Sequence, residues 1–149
     1  MTRAEHAAEL FHGGYNCAQA VAMAFADLVQ MDEKQVAKLV SGFGGGMGRM
    51  REVCGAVTGM FFIASTLYGY DEPNHDRQMQ TYSLIQELAG QFRKVAGSIV
   101  CRELLENPPS DPVPSARTEA YYAQRPCVRM VYLAASILDN YISEHPVTH

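Results

Sequence analysis

Apolar residues recur at helical spacing along most of the chain, and short polar or glycine-rich breaks separate these stretches. Such a period places the apolar side chains on one face of an amphipathic helix. No run of alternating β-branched residues competes with it. The pattern therefore predicts one all-α domain over residues 1–149, a bundle of about five to seven helices. The longest predicted helix runs from about His75 to Val95, with a core stripe of Met79, Tyr82, Ile85, Leu88 and Phe92.

Capping residues and helix breakers set the ends of the other predicted helices. Asn16 is placed to cap an alanine-rich helix from Cys17 to about Val29, which is apolar on most sides and is expected at the centre of the domain. Four prolines between Pro108 and Pro114 predict an extended surface loop. The remaining predicted helices cover residues 2–12, 32–40, 54–69, 126–141 and a short segment that starts at the cap Ser98 and ends at Asn107.

The most apolar stretch, Val53 to Tyr70, is predicted to be a buried helix. Its apolar core is shorter than the roughly 20 residues of a membrane span, so no span is expected. Gly55 and Gly59 lie one helical turn apart and leave a smooth face for another backbone. This face predicts either close packing within the chain, which we favour, or a dimer seam.

Composition and charge narrow the function classes. A chain of 149 residues can bury a core without disulfides. A net charge of −4 and the absence of a basic run argue against a nucleic-acid partner. The first residues lack the apolar core of a signal peptide, so a cytoplasmic location is expected. In the reducing cytosol, four cysteines are more typical of catalytic, redox or metal-binding roles than of structural disulfides.

Each of the four cysteines stands where a predicted helix begins. Unpaired N–H groups and a partial positive charge at a helix start stabilise a thiolate. Cys54 is predicted to be the most reactive, because Arg49 and Arg51 precede it and Gly55 leaves room for a partner atom. We expect the four to form one site, as catalytic residues and as metal ligands: Cys17, Cys54, Cys101 and Cys127.

A glycine-rich loop over residues 42–49 leads into Cys54. It matches neither the P-loop nor the Rossmann fingerprint, so nucleotide binding is not favoured. The preferred interpretation is that its N–H groups hydrogen-bond to sulfur beside the site. The predicted cofactor-binding residues are Gly44, Gly45, Gly46 and Arg49.

Three chemistries fit four thiolates. An iron–sulfur cluster accepts four cysteines drawn from scattered positions. Zinc sites usually pair their ligands in Cys-x-x-Cys knuckles, which are absent here and make zinc less favoured. Thiol–disulfide exchange needs only two cysteines with Cα atoms about 6 Å apart. The spacing of the cysteines leaves all three open.

One stretch carries a family resemblance. The loop Gly44–Gly48 and the run Cys54-Gly55-Ala56-Val57-Thr58-Gly59, with single cysteines at positions 17, 101 and 127, resemble the C_GCAxxG_C_C family of redox-active proteins over nearly the whole chain. The resemblance implies a redox role for the four cysteines. Related domains occur in a haem-bearing cytochrome, but this chain has no C-x-x-C-H motif, so no haem is expected.

We therefore expect a cytoplasmic, all-α redox protein, an oxidoreductase or an electron-transfer protein. Its four cysteines would bind an iron–sulfur cluster or another metal such as zinc, with metal-free thiol–disulfide exchange as the alternative. A third interpretation is a dimeric helical binding module, joined through Gly55 and Gly59, with structural cysteines. A redox partner protein and a homodimer are the expected partners.

Overall fold

The computed structural model describes residues 1–106 and 108–147, and helices are its regular elements. Over these ranges β-pairing is limited to one isolated antiparallel bridge, between Val53 and Val100, which confirms the all-α class. Eight helices are described where five to seven were predicted, because the sequence pattern did not indicate α7. They are α1 Arg3–His12, α2 Cys17–Met23, α3 Glu33–Leu39, α4 Gly55–Tyr68, α5 His75–Ala96, α6 Cys101–Leu104, α7 Glu119–Gln124 and α8 Cys127–Glu144.

Side-chain caps determine where the first two helices begin, and the cap at Asn16 was predicted. The Thr2 hydroxyl accepts a hydrogen bond from the Glu5 N–H at the start of α1. The Asn16 side chain accepts one from the Gln19 N–H at 2.9 Å, and the Gln19 side-chain oxygen accepts one from the Asn16 N–H. These bonds satisfy N–H groups that a first turn would otherwise leave unpaired.

Helix α2 lies at the centre of the bundle, as predicted, but it ends at Met23 and not near Val29. Residues 24–30 continue as tight turns, in which backbone N–H groups bond to carbonyls three residues back. The Arg3 guanidinium donates to the Ala24 carbonyl at 2.8 Å and to the Asp27 carboxylate at 2.7 Å. The Ala24 carbonyl thus bonds to a side chain where a longer helix would use it internally.

Four helices surround α2, and together they form the core. Helix α2 contacts α1, α3, α4 and α8, and α1 also packs along α8. Except for Gln19, every residue of α2 after Cys17 is buried. The alanines of α2 allow neighbouring backbones to approach closely from several sides.

Helix α5 faces the core with a different stripe from the predicted one. Leu88 and Phe92 are buried as predicted, but Met79 and Tyr82 are more than half exposed. The bundle packs against α5 only from Leu84 onward, so its first two turns extend beyond the core. The helical period predicted correctly which face of the later turns is buried. It could not predict how far along α5 the neighbouring helices reach.

The helix that carries Cys101 is shorter than predicted, because the residues before it are extended. The Cys54 N–H donates to the Ile99 carbonyl at 2.7 Å, and the Cys101 N–H donates to the Glu52 carbonyl at 2.6 Å. We call this pairing of residues 52–54 with residues 99–101 the short ladder. Ser98 accepts a bond from the Val100 N–H inside this turn and does not cap the helix. The predicted helix end at Asn107 lies outside the described residues.

Gly55 and Gly59 let α4 approach α2 closely. A Cβ atom at Gly59 would lie 2.6 Å from the Ala18 carbonyl oxygen, and one at Gly55 would lie 3.2 Å from the Cys17 Cβ. The favoured interpretation, packing within the chain, is therefore confirmed. A dimer seam through this face was a wrong alternative, because Cys17 and Ala18 of the same chain occupy it.

None of the helices in the described part of the chain combines the length and the hydrophobicity that crossing a membrane requires.

We predict that Gly59→Ala lowers the free energy of unfolding by about 1–3 kcal/mol, because the added methyl group meets the Ala18 backbone and must displace it. Urea unfolding at equilibrium measures this change. Gly90→Ala is the matched control: Gly90 lies inside α5, and a Cβ there has no neighbour within 4 Å. The control should be as stable as the wild type or up to about 1 kcal/mol more stable. An equal response of the two variants would contradict the close contact.

Candidate functional site

All four cysteines line one cavity of about 370 Å³. Cys17, Cys101 and Cys127 are the first residues of α2, α6 and α8, and Cys54 is the residue that caps α4. The predicted position of each cysteine at a helix start is therefore confirmed. Four helices that are far apart in the sequence begin around the same space.

Two contacts bring the cysteines together. The close approach of α4 to α2 places Cys17 beside Gly55, the residue that follows Cys54. The short ladder puts Cys54 opposite Ile99, so Cys54 and Cys101 are diagonal neighbours on one side of the pairing. Diagonal positions of an antiparallel pair are about 7–8 Å apart, too far for a disulfide without backbone movement.

The glycine turn, residues 44–48, forms one wall of the cavity. Gly45, Gly46 and Gly48 have left-handed φ angles of 66°, 74° and 58°. A Cβ at Gly46 would lie 2.7 Å from the Cys101 Cβ, so only glycine allows this approach. The turn lies against Cys101, and the hydrogen bonding of its N–H groups to sulfur stays a prediction.

The two arginines that precede Cys54 were expected to act on Cys54, but their side chains contact other groups. Arg51 is buried, and its Nη1 lies 3.7 Å from the Cys101 sulfur, while its Nε donates to the Pro109 carbonyl at 2.9 Å. Arg49 pairs with Asp111 at 3.5 Å. Both arginines have left-handed φ angles, and the resulting turn directs their side chains toward Cys101 and the segment 108–118.

Burial makes Cys54 and Cys101 poor thiolates. Burial raises the pKa of Cys54 to about 12, although the N–H groups of Ala56 and Val57 act in the opposite direction. Burial also raises the pKa of Cys101, opposed by the hydrogen bond and charge of Arg51. The expectation that Cys54 has the lowest thiol pKa is therefore wrong: helix N–H groups favour the anion, but desolvation costs more.

Cys17 and Cys127 form an interacting pair of half-buried thiols. A hydrogen bond from the Cys17 thiol lowers the pKa of Cys127 to about 7, against the effect of burial, and the charges of Arg125, Arg51 and Arg117 act in the same direction. The same hydrogen bond, with burial, raises the pKa of Cys17 well above its ordinary value. Near neutral pH the Cys127 thiolate is therefore substantially populated, whereas Cys17 stays a thiol.

Arg117 is the cavity residue that sequence reasoning missed most completely. Its guanidinium donates to the carbonyls of Phe11 and Tyr15 and lies over the Phe11 ring, 4.2 Å from its centroid. These contacts attach the segment before α7 to the end of α1. No motif or period marks an arginine in an irregular segment, so only the tertiary structure reveals it.

The described residues contain no group of three or more His, Cys, Asp or Glu side chains placed to hold a metal ion. The four cysteines predicted as metal ligands share a cavity, but in the arrangement seen here their sulfurs do not form a metal site. The donor set has the right chemistry for a thiolate-bound metal, and the distances between the donors do not fit one.

Comparison with known families gives one match. A family model described as "Putative redox-active protein (C_GCAxxG_C_C)" matches residues 15–141. This range includes all four cysteines and the glycine turn. No curated protein and no solved structure matches the chain.

We predict that iodoacetamide alkylates Cys127 faster than Cys54 and Cys101, and that its rate against pH has a midpoint near 7. Because the pKa of Cys127 is lowered, its thiolate is about half formed at pH 7, whereas an ordinary thiol is almost fully protonated there. Mass spectrometry of peptides from protein labelled at each pH measures the rates.

Cys17→Ala should move the midpoint for Cys127 to higher pH, because the hydrogen-bond donor is lost. Cys17→Ser keeps a donor and should move it less. A midpoint that is the same in wild type and Cys17→Ala would contradict the paired arrangement.

Proposed function

The chain belongs to the C_GCAxxG_C_C family of redox-active proteins, and from this premise we propose that Cys17 and Cys127 work as a dithiol–disulfide couple. The observation that carries the proposal is that both line one cavity at the starts of α2 and α8, close enough for each to shift the pKa of the other. As residues, Cys17 and Cys127 are partly exposed, whereas Cys54 and Cys101 are buried. A reactive pair must meet its substrate, and these two cysteines have the greater access.

The proposed reaction begins with the Cys127 thiolate. It attacks one sulfur of a disulfide substrate, the substrate S–S bond breaks, and one substrate thiolate leaves. The Cys17 thiol then gives its proton to that leaving group and attacks the Cys127 sulfur in the mixed disulfide. The second substrate thiolate leaves and takes a proton from solvent. Two electrons thus pass from the protein dithiol to the substrate, and a Cys17–Cys127 disulfide remains.

Arg51 links the second pair of cysteines to this couple. Arg51 connects the Cys101 sulfur to the Pro109 carbonyl, and its charge also favours the Cys127 thiolate. Cys54 lies where the short ladder meets α4, and it is more deeply buried than Cys17 and Cys127. We propose that these two cysteines stay reduced while the Cys17–Cys127 couple turns over.

Peptide mapping by mass spectrometry tests the couple. Reduced protein treated with a slight excess of a small disulfide should yield one intramolecular disulfide, between Cys17 and Cys127. Cys127→Ser should abolish it, and Cys54→Ser, a matched change at a buried cysteine, should leave it intact. A disulfide between Cys54 and Cys101, or random pairing, would overturn the assignment.

The second candidate is the predicted iron–sulfur cluster, or zinc, held by the same four cysteines. The observation in its favour is that all four line one cavity. The sulfurs would have to move closer together than they are here, and the metal–thiolate bonds would have to offset the cost of deprotonating thiols of raised pKa. Such a site would make the protein an electron-transfer protein.

Anaerobic incubation with iron and sulfide distinguishes the two candidates. The dithiol–disulfide proposal predicts no stable visible chromophore and no retained iron after desalting. A chromophore that persists in the wild type and is lost on single replacement of Cys17, Cys54, Cys101 or Cys127 would favour the cluster. Zinc analysis of the same samples decides between the two metals.

The oxidised couple must be reduced again by a second dithiol, and this is the role we propose for a redox partner protein. The reducing poise of the cytoplasm, the expected location, would supply the electrons. A homodimer stays a prediction.

A further inference from the structure

The charged side chains of the cavity all have the same sign. Its described lining contains four arginines and no aspartate, glutamate or lysine, although the whole chain has a net charge of −4. A positive cavity in an acidic protein concentrates anions and repels cations. The four arginines are Arg49, Arg51, Arg117 and Arg125.

Three of these arginines are engaged within the protein. Arg49 pairs with Asp111, Arg51 bonds to Pro109 and Cys101, and Arg117 bonds to two carbonyls at the end of α1 and just after it. The Arg125 guanidinium makes no hydrogen bond or ion pair with the described residues and lies over the Tyr121 ring, 5.5 Å from its centroid. Its guanidinium is therefore available to a ligand, two residues before Cys127.

The remaining walls of the cavity are largely apolar and include Phe11, Leu104, Tyr121 and Met130. A volume of about 370 Å³ falls in the range of small-molecule sites. The cavity thus combines room for a short hydrocarbon chain, a cation for a negative group, and a thiol pair.

We propose that the substrate of this site is a small organic disulfide that carries a carboxylate, with the carboxylate bound by Arg125 and the hydrocarbon part against the apolar wall. This inference rests on the proposed function, because it names the substrate class of the same Cys17–Cys127 couple. The guanidinium forms two parallel hydrogen bonds with a carboxylate, which fixes the position of the disulfide relative to Cys127. The electron balance is that of the exchange above: two protein thiols become one disulfide, and the substrate disulfide becomes two thiols.

A series of three small disulfides that differ in charge tests the substrate class. The probes are 3,3′-dithiodipropionate, which is anionic, 2-hydroxyethyl disulfide, which is neutral, and cystamine, which is cationic. Each rate of formation of the Cys17–Cys127 disulfide is divided by the rate of 2-mercaptoethanol, a neutral thiol, with the same probe, which removes the intrinsic reactivity of the disulfide. The corrected rate for the anionic probe should exceed that for the cationic probe about tenfold or more, and added salt should reduce the ratio.

Variants at Arg125 test whether this residue causes the preference for the anionic disulfide. Arg125→Gln should lower the ratio of the anionic to the neutral probe about fivefold, the size expected for one charge contact at a half-buried position. Arg125→Lys, which keeps the charge, should lower it less. Arg129→Gln removes the same charge from an exposed position of α8 that does not line the cavity, and it should leave the ratio unchanged. The ratio is the readout because a change in thiolate reactivity affects both probes alike.

A redox-inert ligand separates failure of this inference from failure of the couple. Suberate has the chain length of 3,3′-dithiodipropionate without its sulfurs and should slow alkylation of Cys127 at concentrations where 1,8-octanediol does not. Equal corrected rates for all three probes, with no protection by suberate, would overturn the anionic substrate while leaving the couple intact. Failure of every probe to form the Cys17–Cys127 disulfide would overturn the couple, and the inference with it.

Discussion

The close contact between α2 and α4 is the constraint on which the site depends. Gly59 meets the Ala18 carbonyl and Gly55 meets Cys17 with no side chain between the two helices. A methyl group at Gly59 would force the helices apart, and one at Gly55 would make its neighbours shift by a few tenths of an ångström, since packed cores do not yield freely. This contact carries the start of α4 to the start of α2, and the short ladder then adds the start of α6. The shared cavity follows from backbone packing more than from any attraction between the cysteines.

The four cysteines occupy similar local positions and have different chemistry. Each stands at a helix start, yet the pKa of Cys54 is raised to about 12 and that of Cys127 is lowered to about 7. The helix start supplies N–H groups in every case, so it cannot account for the difference. Burial decides for Cys54, whereas a thiol donor and nearby arginines decide for Cys127. A helix start is thus one contribution to thiolate stability, and desolvation can outweigh it.

Local chemistry made much of the fold predictable. The cap Asn16 and the glycine at position 69 marked helix ends correctly, because they act on backbone groups within one turn. The early end of α2 was not predictable, since it depends on Arg3 from another helix. In the site, the four cysteines and the glycine turn were indicated by position, but the pairing of Cys17 with Cys127 and the part played by Arg117 arise only from tertiary contacts.

In the proposed mechanism Cys17 and Cys127 are redox-active while Cys54 and Cys101 stay reduced. The Cβ carbon chemical shift of cysteine distinguishes thiol from disulfide, so an equilibrium redox titration of cysteine-labelled protein followed by NMR tests this division directly. We expect the resonances of Cys17 and Cys127 to change together at one potential, while those of Cys54 and Cys101 keep their thiol values. Oxidation of Cys54 or Cys101 at the same or a lower potential would contradict it.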